Sequence, residues 1–142
     1  MYVLVEYEGG TRFRATADGY VVTSGKGTDG DAGRDNMNPT QLWLSALGMC
    51  IGVYAAGYCN NHGIPCDDLT VEIDRETAQG PSRMTRVDAK IRLSAALTED
   101  QERAILQVGG RCYIHKSMKL GMEVDISLAD AAVAGSAQAS GV

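Results

Sequence analysis

Four cysteines are the residues of this sequence best suited to chemistry: Cys50, Cys59, Cys66 and Cys112. No two of them form a Cys-x-x-Cys pair, so the thioredoxin-like redox motif and the usual zinc-ribbon spacing are both absent. In a reducing cytosol structural disulfides are rare, and free cysteines serve catalysis, bind metals or fill a core. The setting of each thiol therefore decides among these roles.

Cys50 and Cys112 differ in their sequence settings. Cys50 lies in the middle of a long apolar segment, where a cysteine most often packs as a small apolar side chain. Cys112 follows a Gly-Gly pair and has three residues near it that can carry positive charge, which favours a thiolate. These neighbours are Arg111, His115 and Lys116. The residues alone favour packing for Cys50 and leave both packing and reactivity open for Cys112.

Cys59, His62 and Cys66 form a Cys-x2-His-x3-Cys run, which on spacing alone could contribute to a zinc site. The run straddles a predicted helix end, and a further ligand would have to come from a distant part of the chain. We therefore expect no metal and no cofactor. A disulfide needs Cα atoms within roughly 7 Å, and this spacing gives no reason for Cys59 and Cys66 to meet each other.

A long helix must position Cys50. Asn38 can cap its N-terminus, Pro39 suits its first turn, and Gln41 lies where a capping box needs it. The segment that follows is uncharged and apolar on nearly every side, as in a helix buried all round. We expect a central helix that ends near Gly63 and Pro65. Because one small chain cannot cover such a helix, we also expect an obligate homodimer.

Period-two alternation and turn residues predict strands around this helix. The predicted strands cover residues 2–7, 12–17, 20–24, 69–77, 84–93 and 122–128. A second helix is predicted from a capping box at Thr98 to the pair Gly109-Gly110, and a short amphipathic stretch follows it. Residues 25–37 are predicted to form a long loop. We expect one domain over residues 1–128 and a flexible tail over residues 129–142.

The composition excludes several classes of partner. The chain has 142 residues, 44% of them hydrophobic and 22% charged, as expected for a single globular core. Its net charge of -5 offers no basic surface to nucleic acid. The first residues lack the pattern of a signal peptide, and no uninterrupted apolar run approaches the ~18 residues of a membrane span. We therefore expect a cytoplasmic protein with no nucleic-acid or membrane partner.

Two motifs around Cys50 resemble those of the OsmC/Ohr family. They are Asn-Pro-x-x-Leu at residues 38–42 and Ala-Leu-x-x-Cys at residues 46–50, with a second cysteine, Cys112, far along the chain before a short helix. The resemblance extends over roughly residues 1–128. It implies an α+β fold in which antiparallel sheets wrap around a long buried central helix in an intertwined homodimer.

The resemblance also implies a chemistry. In peroxidases of this family, a cysteine at the position of Cys50 attacks an organic hydroperoxide and becomes a sulfenic acid. It then forms a disulfide with the cysteine at the position of Cys112, and a dithiol reductant restores both thiols. This implies a cysteine-based thiol peroxidase that acts in oxidative stress defence, with one intrachain disulfide between Cys50 and Cys112.

One departure from the family pattern concerns Thr40. The peroxidases carry a glutamate there, which holds an arginine against the reactive thiolate, and a threonine cannot form that ion pair. Arg12 and Arg14 fall on one face of a predicted strand and Arg34 lies in the predicted loop, and we choose Arg14 as the arginine that approaches Cys50. The departure leaves an alternative open, in which the protein binds an apolar small molecule or senses thiols with little peroxidase turnover.

Overall fold

The computed structural model describes residues 2–26 and 36–129. Within these residues the chain has an α+β fold in which both sheets are antiparallel, as predicted. The elements in chain order are β1 (Leu4–Gly9), β2 (Arg12–Ala17), β3 (Tyr20–Ser24), α1 (Pro39–Asn61), β4 (Thr70–Ala78), β5 (Arg83–Arg92), α2 (Glu99–Gly109) and α3 (Tyr113–Leu120). Most of the predicted loop and nearly all of the predicted tail lie outside the described residues.

The start of α1 is fixed by the predicted capping box. The Asn38 side chain accepts a hydrogen bond from the Gln41 backbone at 2.9 Å, and the Gln41 side chain accepts one from the Asn38 backbone at 2.9 Å. Pro39 occupies the first turn, where its missing N–H costs nothing. The helix ends at Asn61, with His62 as its C-cap. These local signals confirm both ends of the predicted helix.

A hairpin of β4 and β5 covers one side of α1. Its strands pair from Thr70 opposite Arg92 to Ala78 opposite Arg83, as the alternation predicts. The strands come close to α1 at Gly48, where a Cβ would lie 3.1 Å from Ile73 Cγ1. Glycine at this position therefore lets helix and hairpin pack tightly.

Two shorter helices complete this helix–hairpin body. α2 begins at a capping box between Thr98 and Gln101 and ends at Gly109, as predicted. A Cβ at Gly109 would lie 3.4 Å from Ile51 Cγ2, so the C-terminal end of α2 lies directly against α1. α3 begins immediately after Cys112, which is its N-cap residue.

The core of this body consists of two clusters of buried side chains along α1. The Cys112 cluster consists of Leu47, Ile51 and Cys112. The Cys59 cluster consists of Ala55, Cys59, Ile64 and Ile105. Each cluster therefore contains a cysteine at its centre.

The first three strands form a separate meander, the N-terminal sheet, in the order β1-β2-β3. Its strands contact chiefly one another, whereas α1 contacts β4, α2 and α3. Several of its apolar side chains are exposed in the single chain, namely Val3, Leu4, Val5, Tyr7, Phe13, Tyr20, Val21 and Val22. The N-terminal sheet thus has apolar surface that the described part of its own chain leaves uncovered.

The predicted last strand, over residues 122–128, is wrong for the single chain. The segment has a clear alternation of apolar and polar residues, but it forms no strand in the structure. Its apolar side chains point into solvent, with Ile126 94% and Leu128 99% exposed. A strand needs a neighbour to receive its backbone hydrogen bonds, and no neighbouring strand of the described chain pairs with it.

Burial of α1 is also one-sided within the single chain. Met49 and Val53 are 69% and 70% exposed on the face opposite the two clusters, so the prediction of burial all round is met on one face only. Among the described residues, α1 is the one helix long and apolar enough to cross a membrane, by length and composition alone. A core helix of a soluble protein meets the same criterion, and α1 packs against β4, α2 and α3.

Candidate functional site

Cys50 and Cys112, which are far apart in sequence, lie together between α1 and α3. Their side chains are within hydrogen-bonding contact. Cys112 is fully buried in its cluster, while Cys50 packs against that cluster and is half-buried. The site therefore holds one thiol that solvent can reach and a second behind it.

The surroundings of Cys50 favour its thiolate. Burial raises the pKa of Cys50, but hydrogen bonds from the Cys112 side chain and from the backbones of Ile114 and Tyr113 outweigh this effect and lower the pKa overall. Tyr113 and Ile114 are the first residues of α3, whose N-terminal N–H groups have no partner within the helix. The N-terminal end of α3 thus stabilises negative charge on the Cys50 sulfur.

The surroundings of Cys112 favour its protonated thiol. Burial and the hydrogen bond to Cys50 raise the pKa of Cys112, and backbone hydrogen bonds from His115 and Ile114 only partly oppose this. Of the two roles that the sequence left open for Cys112, the raised pKa favours a packed, protonated thiol. The buried thiol acts as a hydrogen-bond donor to Cys50.

A cavity of about 420 Å³ adjoins this pair of cysteines. It shares Leu47 and Ile51 with the Cys112 cluster, and neither thiol lines it directly. Its other lining residues are mostly apolar side chains of α1, β5, α2 and α3, with Arg86 and His115 as the charged or titratable ones. His115 Nδ1 donates to the Gly110 carbonyl at 2.9 Å. The space therefore suits an apolar molecule better than a strongly polar one.

The structure places Arg14 in the N-terminal sheet, where its Nε donates to Glu8 Oε1 at 2.8 Å. It is partly exposed there and lies on a sheet that contacts the helix–hairpin body little. Arg12 lies at the start of the same strand, and Arg34 lies outside the described residues. Thr40 is in the first turn of α1, ten residues before Cys50, which corresponds to about 15 Å along a helix. A side chain at position 40 therefore cannot reach Cys50 of the same chain.

Cys59 and Cys66, by contrast, do meet. Cys66 packs against the Cys59 cluster, and the two thiols are within hydrogen-bonding contact. The expectation from spacing that they would stay apart is wrong, because the turn at Gly63 and Pro65 folds Cys66 back onto α1. In the part of the chain that the structure describes, no three His, Cys, Asp or Glu side chains converge to hold a metal ion.

Sequence reasoning missed the backbone N–H groups of Tyr113 and Ile114 as contributors to the site. A signal for them was present, because a Gly-Gly helix end at residues 109–110, one residue before Cys112, favours a new helix start at that cysteine. The sequence alone does not show which thiol this helix faces.

The sequence matches one known protein family. A family model described as OsmC-like protein matches residues 29–127, more than half of the chain. No curated protein sequence matches it.

Solved structures share the fold at low identity. A candidate osmotic stress induced and detoxification response protein from Psychrobacter arcticus is 20% identical, with a TM-score of 0.69 over 81% of this chain and 85% of that chain. An OsmC-like protein from Mycoplasma pneumoniae is 15% identical, with a TM-score of 0.68 over 83% and 86%. The organic hydroperoxide resistance protein OhrB of Bacillus subtilis is 15% identical, with a TM-score of 0.54 over 84% and 91%. The family model and these shared folds lead to one conclusion: the chain belongs to the family of OsmC-like proteins.

Proposed function

We propose that the protein is a cysteine-based thiol peroxidase that reduces organic hydroperoxides, with Cys50 as the peroxidatic and Cys112 as the resolving cysteine. The observation that carries this proposal is the contact between the two thiols and the opposite shifts of their pKa values. A nucleophile must be a thiolate, whereas a resolving cysteine must stay nearby until it is needed. The lowered pKa of Cys50 increases its thiolate fraction, and Cys112 lies in contact with it.

The reaction begins with the Cys50 thiolate. It attacks one oxygen of the hydroperoxide, the O–O bond breaks, and the leaving alkoxide takes a proton to become an alcohol. Cys50 is then a sulfenic acid. The Cys112 sulfur attacks the Cys50 sulfur, water leaves, and a Cys50–Cys112 disulfide remains. A dithiol reductant then reduces this disulfide by thiol–disulfide exchange and regenerates the thiols of Cys50 and Cys112.

The substrate class follows from the apolar cavity beside the Cys112 cluster. An alkyl chain placed there would be removed from water, while the peroxide group lies towards the cysteines. Relatives of this fold are named as hydroperoxide resistance proteins, among them one from Jannaschia sp. with 13% identity and a TM-score of 0.56. Both observations favour an organic hydroperoxide over hydrogen peroxide.

The active assembly in this proposal is an obligate homodimer in the cytoplasm. The apolar surface of the N-terminal sheet and of the outer face of α1 supports a second copy as its cover. In this proposal Arg14 lowers the pKa of Cys50, and a second copy is the chain that would supply it, because Arg14 of the same chain lies on the N-terminal sheet, which contacts the helix–hairpin body little. Sedimentation at micromolar concentration should show twice the 15.1 kDa mass of one chain. A folded monomer under these conditions would contradict this part of the proposal.

The test of the peroxidase activity compares two cysteines on the same scaffold. Wild-type protein, Cys50→Ser and Cys66→Ser are given an alkyl hydroperoxide and a dithiol, and peroxide loss is followed over many turnovers. Cys50→Ser should lower the rate by roughly a thousandfold or more because the nucleophile is gone. Cys66→Ser should react like wild type. Equal rates for Cys50→Ser and wild type would rule the proposal out.

A second candidate function is supported by Thr40, which replaces the glutamate of the family's peroxidases. In this alternative the cavity binds an apolar molecule, or Cys50 senses thiols, without sustained turnover. Thr40→Glu separates the two functions. A large gain in peroxide turnover in this variant over an inactive wild type would favour the binding or sensing function, whereas a wild type that already turns over would exclude it.

A further inference from the structure

We propose that Cys59 and Cys66 form a second redox site, a dithiol that small-molecule disulfides oxidise reversibly to an intrachain disulfide. This site lies at the C-terminal end of α1, in the Cys59 cluster, and takes no part in the peroxidase chemistry proposed for Cys50. The proposal rests on the position of the two thiols, on the turn that joins them and on their different exposure.

The turn after α1 holds the two thiols together. The Ile64 backbone N–H donates to the Cys59 carbonyl at 2.9 Å, and the Ile64 side chain is buried in the same cluster as Cys59. Gly63, between them, has a φ of 65°, a backbone conformation that glycine adopts without strain. Beyond the turn, the Cys66 carbonyl accepts from the Leu69 backbone at 3.1 Å. The backbone is therefore ordered on both sides of Cys66, and its side chain packs against the Cys59 cluster.

The two thiols differ in access. Cys59 is fully buried, while Cys66 is half-buried and its sulfur donates to Asn60 Oδ1 at 3.5 Å. An external oxidant must therefore bond to Cys66 first. Burial raises the pKa of Cys59, and the neighbouring Cys66 raises it further. Cys59 therefore stays protonated until the oxidant has bonded to Cys66.

The second site is separate from the first. Cys50 and Cys59 are nine residues apart on α1, which at about 100° per residue places them on opposite sides of the helix and about 14 Å apart along it. Their side chains belong to different clusters. Direct exchange between the two pairs within one chain is therefore excluded by distance.

The reaction consists of two exchanges. The Cys66 thiolate, having lost its proton to solvent, attacks one sulfur of the small disulfide, and one thiolate of that molecule leaves and is protonated. Cys59 then loses its proton and attacks the Cys66 sulfur, so the second thiolate leaves and the Cys59–Cys66 bond forms. The protein loses two electrons and two protons, and the small disulfide becomes two thiols.

The experiment uses the full chain and glutathione disulfide as the probe. Reduced wild type, Cys66→Ser and Cys59→Ala are incubated with excess glutathione disulfide, trapped with acid, alkylated and mapped by peptide mass spectrometry. In wild type, we expect a peptide linked through Cys59 and Cys66 as the main product at this site, and dithiothreitol should reverse it. Linkage between Cys50 and Cys112 is scored separately, so the result does not depend on the peroxidase proposal.

The two variants test the order of the steps. In Cys59→Ala, the glutathione adduct on Cys66 should accumulate, because no second thiol removes it, whereas in wild type it should stay a minor species. In Cys66→Ser, Cys59 should stay free throughout. The proposal is overturned if wild type keeps glutathione on Cys66 beside a free Cys59, or if both thiols stay unreacted. Should Cys59→Ala fail to fold, wild type and Cys66→Ser alone decide the question.

Discussion

Two cysteine pairs at different heights and on opposite sides of α1 have opposite properties. At Cys50, hydrogen bonds from Cys112 and from the N-terminal end of α3 outweigh burial and lower the pKa. At Cys59, burial dominates and raises the pKa, and the nearby Cys66 adds to this. Contact between two thiols therefore does not by itself set the direction of their pKa shifts. The donors aimed at the sulfur decide it.

The largest expected effect comes from removing the packing that holds each pair. Leu47 supports the Cys112 cluster and Ile64 the Cys59 cluster, and both are buried. Leu47→Ala and Ile64→Ala should each lower the free energy of unfolding by about 3 kcal/mol, as measured by urea unfolding at one protein concentration. Leu47→Ala should also slow alkylation of Cys50, whereas Ile64→Ala should change only the accessibility of Cys59 and Cys66.

A matched control is Leu106→Ala, because Leu106 is 66% exposed in the single chain. This variant should change the free energy of unfolding by no more than about 0.5 kcal/mol. If Ile64→Ala slowed alkylation of Cys50 as much as Leu47→Ala, the two pairs would not be independent, and the comparison would fail.

A smaller effect is expected from the turn that brings Cys66 to Cys59. Gly63→Ala forces a side chain into positive φ and should lower the free energy of unfolding by about 1 kcal/mol. It should also reduce the yield of the Cys59–Cys66 disulfide and leave the alkylation of Cys50 unchanged. Gly57→Ala is the control, since among the described residues a Cβ there meets no atom within 4 Å outside the neighbouring turns of its own helix. Its helix propensity should make it neutral or stabilising, and a loss there would point to a second chain packed at Gly57.

The third effect is a shift in the pH dependence of Cys50 alkylation. Cys112 donates to Cys50, so Cys112→Ala removes a donor and should raise the pKa of Cys50. The rate of Cys50 alkylation against pH should then move to higher pH, because less thiolate is present at each pH. Cys112→Ser keeps a donor and should retain most of the wild-type profile. Identical profiles for the alanine and serine variants would show that the α3 backbone alone stabilises the thiolate.

The smallest effect concerns stability at alkaline pH. A thiol whose pKa is raised in the folded state stabilises the fold below its unfolded pKa, and this contribution is lost as the pH rises through the folded pKa. Cys59 is such a group. Cys59→Ala should therefore weaken the decline of thermal stability at alkaline pH, measured as Tm against pH. Cys66→Ser should leave most of that decline in place, because burial of Cys59 is its main cause.

Sequence signals predicted those parts of the fold whose causes are local. The capping boxes at Asn38 and Thr98 fix two helix starts through side chains three residues apart, and the alternation in β4 and β5 fixes the faces of a hairpin. The alternation over residues 122–128 is as regular, but a strand also needs a partner. The local pattern therefore predicted a strand at a segment for which the described residues offer no pairing strand.

The candidate site was less accessible to sequence reasoning. That Cys50 and Cys112 belong together came from the family resemblance, since no spacing rule joins residues so far apart. The meeting of Cys59 with Cys66 was missed because the direction of the chain after Gly63 depends on a backbone dihedral and on the burial of Ile64. Both depend on tertiary packing, which the spacing of cysteines does not reveal.

The position of α3 also determines when during folding the Cys50 site comes into being. The N-terminal sheet is built from neighbouring strands and needs only short loops to close, so it is expected to form early. The residues whose backbone N–H groups donate to Cys50 lie at the start of α3, some sixty residues after Cys50 in the sequence. Closing the long loop between them is entropically costly and slow. Until α3 docks against α1, Cys50 lacks these backbone hydrogen bonds. The hydrogen bonds that lower the pKa of Cys50 are therefore expected to form late in folding.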